Sequence, residues 1–125
     1  MDMKILAMFM SVILFGVALE VTNPIDVNKI RWGNFAHFDE DKNHKVGVVN
    51  STKVYENIPE YKIIVKENLD KKSARYTHLM ITCTKKFKEA LTRVGILGGY
   101  QIIVETGGVS DYPSKDVTQE VIAKL

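Results

Sequence analysis

A lone cysteine, Cys83, denies this chain any internal disulfide, so its fold must hold without that staple. In a helical apolar stripe such a thiol packs as a small hydrophobe, whereas a reactive one needs an electropositive, accessible setting. Net charge is nearly absent: 17 Lys and Arg against 15 Asp and Glu leave +2. That balance argues neither for nor against a nucleic-acid partner, and none is expected. Histidine is sparse. His37, His44 and His78 are scattered, while a zinc site needs about four convergent ligands, so no metal is expected. There is no nucleophile elbow, no phosphate-cradling glycine loop and no pair of carboxylates set apart by its surroundings. Gly95, Gly98 and Gly99 read as helix-end and strand-entry glycines, without the strand-before-helix order of a nucleotide loop. The chain therefore reads as a non-enzyme without cofactor. It has neither an internal repeat nor a low-complexity tract.

A long apolar run occurs at one place, Ile5 to Leu19, behind Lys4. It falls short of the about 20 residues of a membrane span and suits a secretory signal, with Gly16-Val17-Ala18 as a small-x-small cleavage site. Residues 1–18 are read as a signal peptide. The competing reading is an uncleaved, membrane-anchoring signal. No cysteine ends the run, which argues against a lipoprotein anchor.

Beyond the apolar run the chain divides in two. Residues 19–44 carry Ile30, Trp32, Phe35 and Phe38 without a period and read as an N-terminal extension. Residues 45–125 read as one α+β domain. Lys45-Val46-Gly47-Val48-Val49 is a strand apolar on both faces. Ser51 or Thr52 then caps a short helix over residues 52–57. Pro59 would cost about 3 kcal/mol inside a helix but little at its first turn, so a new helix starts there. Val54, Ile58, Tyr61, Val65 and Leu69 make one heptad-like stripe; Met80, Cys83, Phe87, Ala90 and Val94 make a second, ending at Gly95 as a C-cap. The two stripes predict an antiparallel helical hairpin over about residues 59–95, with legs of about 20–25 Å. Gly99 to Val104 is a second strand, Val109 opens a short third, and Asp116 caps a last helix.

Two patterns resemble decoys. Asp39-Glu40-Asp41 has the rhythm of a calcium loop, but His44 stands at its glycine position and Asn50 at its glutamate position. Asn50-Ser51-Thr52 is a glycosylation sequon, relevant only in a eukaryotic source. From Lys53 to Arg93, ten Lys and Arg face five acids, so this stretch carries +5. It would attract acidic clients or anionic lipid, or simply be a solvated face.

The opening KVGVVNSTKVYENIPEYK, a helical excursion, and then GYQIIVETGGVSDYPSKDVTQEVIAKL resemble the Skp/OmpH family of periplasmic chaperones. The two blocks, Lys45 to Lys62 and Gly99 to Leu125, lie in the family's order behind an export signal. The resemblance implies a homotrimer. Its subunits pool their strands into a small barrel, each extends a helical arm, and unfolded outer-membrane proteins are held between the arms without ATP, in the periplasm. A body of about 60 residues would gain from such association. Val46, Val48, Ile102 and Val104 are the expected subunit interface, and Val65, Leu69, Met80, Phe87 and Val94 the expected arm packing. The family's arms are far longer than a hairpin between Pro59 and Gly95, so a short-armed cage is shallow. The alternative is a trimeric structural or adaptor module of the envelope that lacks chaperone activity.

Overall fold

Short valine and isoleucine runs that must bury both faces set the centre of the fold, and the remaining elements are arranged to cover them. A computed structural model describes residues 23–125; the signal-peptide reading lies outside these residues. In chain order the elements are β1 (Ile30–Gly33), β2 (Lys45–Val49), α1 (Ser51–Tyr55), α2 (Pro59–Lys66), α3 (Ala74–Gly98), β3 (Tyr100–Glu105), β4 (Lys115–Asp116) and α4 (Thr118–Ala123). Single 3-10 turns lie at Val27–Lys29, Phe35–His37 and Glu40–Lys42. The chain is α+β, with one open four-stranded sheet in the order β1-β3-β2-β4.

Strands β2 and β3 form the parallel centre, pairing Val46 with Ile102, Gly47 with Ile103 and Val48 with Val104. A parallel pair needs a long crossover, and α1 to α3 supply it. The antiparallel β1 closes the far side of β3, and the two-residue β4 runs parallel to β2. Alternation then assigns the faces. Val49 and Ile103 turn to the helices and meet Val54, Ile58, Phe87, Leu91, Val117 and Val121. Val46, Ile102 and Val104 turn the other way and form a second cluster with Ile25, flanked by Ile30, Phe35, Phe38, Val109 and Tyr112. The segment read as an extension is thus a layer of the same body: it contributes an edge strand and covers a sheet face that would otherwise be wet.

Side chains cap the N-termini of α1 and α3, whereas α2 and α4 start without a side-chain cap bond. Asn50, rather than Ser51 or Thr52, caps α1 by accepting from the Lys53 N–H at 3.2 Å. Pro59 occupies the first turn of α2 with Glu60 beside it, where a missing N–H and a negative charge are both favourable. The second helix is shorter than its periodicity predicts and stops at Lys66; Asn68 then takes a left-handed conformation, φ 48°. Ser73 starts α3 by accepting from Tyr76 N–H at 3.1 Å. This helix has 25 residues, about 37 Å at 1.5 Å per residue.

Gly95 does not stop α3. The helix continues to Gly98, and Gly99 ends it in the left-handed region, φ 69°. Gly95 is instead buried where the Trp32 ring lies flat on the helix backbone, and a Cβ there would overlap that ring. Past β3, Val109 opens no strand and makes a single antiparallel bridge to Ile25, while a two-residue strand, β4, forms instead at Lys115–Asp116. Asp116 does not cap α4: the cap position is Val117, without a side-chain cap bond, and the Asp116 carboxylate accepts from Thr118 N–H at 2.9 Å from one residue earlier.

Candidate functional site

Two regions of the surface have shape and chemistry beyond packing. The first is the pair α2 and α3. Glu60 accepts from Lys86 Nζ at 2.8 Å, and Glu67 pairs with Arg75. Partners descend along α3 as they ascend along α2, so the helices run antiparallel. Their seam is aromatic: Tyr55 lies edge-on to Tyr61 at 5.8 Å and to Phe87 at 5.2 Å, and its hydroxyl shares a 3.2 Å hydrogen bond with Thr84. Ile64 is the buried residue of α2. The Lys86 hydrogen bond is the main reason the Glu60 carboxyl titrates below its usual range. Cys83, fully enclosed at this seam, has its thiol pKa raised, first by burial and then by the Glu60 charge. From Ala74 to Thr82 no residue of α3 is buried. This part of the pair presents Ile81, 63% exposed, while α2 presents Val65, 64% exposed. Val65 also walls a shallow apolar cleft of about 240 Å³ with Tyr61, Lys62 and Lys66.

The second region lies at the N-terminal ends of the parallel strands, where a cleft of about 570 Å³ is walled by His44, Val46, Tyr100, Tyr112 and Pro113. Lys45 and Lys115 stand at its rim. Lys45 Nζ donates to the Gly98 carbonyl at 2.5 Å, at the negative end of α3, and sits 4.6 Å above the Tyr100 ring. Lys115 pairs with Glu120 at 3.1 Å. At the opposite ends of the strands, Glu105 binds the start of α1 by accepting from both the N–H and the hydroxyl of Ser51, and Arg31 adds a 3.1 Å contact.

The residues singled out for subunit contact do not lie at a surface of this chain. Val46, Ile102 and Val104 are at most 2% exposed, packed against Ile25, and Val48 is half-buried. They belong to the two central strands, so a sheet extended by another copy would join at β1 or β4. The residues singled out for arm packing scatter as well. Val65 faces solvent, Leu69 and Met80 are half-buried, and Phe87 and Val94 belong to the main core with Leu91 and Ile103. Periodicity placed Val65 on the buried stripe after Ile58 and Tyr61, but it is Ile64, three positions beyond Tyr61, that turns inward. His37 and His78 are exposed and His44 is half-buried; among the described residues no cluster of three His, Cys, Asp or Glu could hold a metal ion. Also among them, no helix is long and apolar enough to cross a membrane. Comparison with family models, curated proteins and solved structures finds no match to this chain.

Proposed function

We propose that this chain is a non-enzymatic holdase of the Skp/OmpH type, exported to the periplasm, which shields unfolded outer-membrane proteins from aggregation without ATP. The observation that carries the reading is the antiparallel α2–α3 pair, which leaves the sheet after β2 and returns to β3. It exposes Val65 and Ile81 among lysines, on a stretch with ten basic residues against five acidic ones. Apolar contacts of this kind bind many sequences without selecting one, and the basic surroundings draw in acidic segments of a client or an anionic lipid surface. Holding a non-native chain lowers the free concentration of the species that aggregates. Three copies would combine their sheets through the edge strands β1 and β4, each presenting its helix pair as a short arm.

Light scattering of a denatured outer-membrane β-barrel protein, diluted into buffer with this chain, tests the reading. Near-stoichiometric trimer should suppress the signal, and the double substitution Val65→Ser and Ile81→Ser should remove that suppression while leaving circular dichroism unchanged. Unsuppressed scattering with the wild-type chain would reject the holdase. A second reading, a structural or adaptor module of the envelope, draws on the layer formed by residues 24–44, which completes each protomer without a client. It predicts the same assembled mass by native mass spectrometry and no effect on scattering.

A further inference from the structure

The cleft at the N-terminal ends of the strands has one wall that is not held by packing alone. That wall is the loop from Asp39 to His44, whose turn is held by the Lys42 N–H donating to the Asp39 carbonyl at 3.1 Å and whose ends are joined by an imidazole nitrogen. The backbone N–H of Asp39 donates to His44 Nδ1 at 3.0 Å, in a partly buried position. Inside the loop, Asp39 Oδ1 accepts from Asp41 N–H at 2.9 Å, and Asn43 takes a left-handed turn, φ 56°, to bring His44 back. Tyr112 ties the closed loop to the body by donating its hydroxyl to the His44 carbonyl at 2.6 Å. Phe38 lies beside it, edge-on to the Tyr112 ring at 5.3 Å and tilted to the imidazole at 6.0 Å.

An imidazole nitrogen accepts a hydrogen bond only while it carries no proton. The contact with Asp39 therefore fixes His44 as the neutral form with its hydrogen on Nε2. Adding a proton to Nδ1 sets two donors against each other. We propose that residues 39–44 are an acid-released latch: proton uptake by His44 breaks the Asp39 N–H bond and frees this wall of the cleft lined by Tyr100 and Tyr112.

Several charged groups lie near the loop. Asp39 and Glu40 belong to the loop itself, and both help to raise the Tyr112 hydroxyl above its ordinary range, after burial. At the cleft, Lys45 is engaged with Gly98 and Tyr100, and Lys115 with Glu120. Imidazole in general is the side chain whose charge change falls between pH 5 and 8, which sets the two pH values of the test.

Nitrogen-15 NMR of the full-length chain, at pH 8 and at pH 5, reads the latch directly. At pH 8 the imidazole should show an unprotonated Nδ1, and the Asp39 amide should be protected from hydrogen exchange. At pH 5 that protection, corrected for the intrinsic exchange rate, should fall about tenfold, in line with the loss of one hydrogen bond to a partly buried donor. The cross-relaxation between the Phe38 and Tyr112 rings should weaken with it. His44→Asn keeps an acceptor near the Nδ1 position and cannot titrate, so it should hold the Asp39 amide protected at both pH values. A proton on Nδ1 at pH 8, or equal protection of the wild-type amide at the two pH values, would overturn the proposal. So would an equal acid response in His44→Asn, which would assign the opening to another group.

Discussion

A single methyl group at position 95 separates a packed helix from a strained one. The Trp32 ring occupies the space that an alanine Cβ needs, and the ring is wedged between α3 and the sheet. Gly95→Ala should therefore destabilise the fold by about 1–3 kcal/mol, as overpacking does, although alanine is the better helix former. Urea unfolding followed by the fluorescence of Trp32, the only tryptophan, measures it. Adding Trp32→Leu, with unfolding then followed by circular dichroism, should lessen the penalty of the alanine, because the smaller side chain vacates the same space. Cys83 supports a second test at this scale. It is fully buried, with its thiol pKa raised chiefly by that burial. A thiol reagent should label it only at the rate of unfolding, and Cys83→Ala should leave client binding unchanged. Rapid labelling of the native protein would contradict its burial.

At the scale of elements, the neighbours Ile64 and Val65 decide which way α2 faces. Ile64 is 7% exposed and Val65 is 64% exposed. Ile64→Ala should cost about 2–4 kcal/mol and Val65→Ala within about 0.5 kcal/mol, by thermal or urea melts. The reverse order would show the helix rotated by one position. The Glu60–Lys86 pair adds a pH signature. Because the folded Glu60 pKa lies below the reference 4.5, its contribution is complete above that value and is lost as pH falls through the folded pKa. The pair is partly exposed, so about 0.2–1 kcal/mol is the scale, and Lys86→Met should flatten this part of the acid limb of the stability profile. Several elements could be read from the chain itself: β2 and β3 as apolar runs, and Pro59 as a helix start. Gly95 looks like a stop until Trp32, distant in sequence, is seen lying on it. Ile64 and Val65 are both apolar, and spacing from Tyr61 admits either of them at the seam with α3. The two-residue β4 is too short to carry a period. For the candidate site, sequence indicated the basic helical stretch and missed the larger cleft, since much of its wall comes from the segments around Glu40–His44 and Tyr112–Lys115, which show no pattern.

For the molecule as a whole, the decisive residues are those before β2. A sheet with helices on one side needs cover on the other, and here Ile25, Ile30, Phe35 and Phe38 provide it over Val46, Ile102 and Val104. The edge strands are short: β1 has four residues with a register shift between Ile30 and Trp32, and β4 has two, so sheet pairing between copies would rest on few backbone hydrogen bonds. Deleting residues 1–44 strips one whole sheet face and the β1 edge together. Burying a side chain the size of isoleucine or phenylalanine is worth about 1.5–3 kcal/mol, and the deletion forfeits four such contacts besides exposing their partners on the sheet. That sum is comparable with the whole stability of a domain this size, about 5–15 kcal/mol. The shortened chain should lose its cooperative thermal transition and associate through the uncovered face, whereas deleting only residues 1–22 should leave the transition in place. If residues 45–125 alone melted cooperatively at the full-length temperature, the second core cluster would be dispensable, and the domain would begin at Lys45 after all.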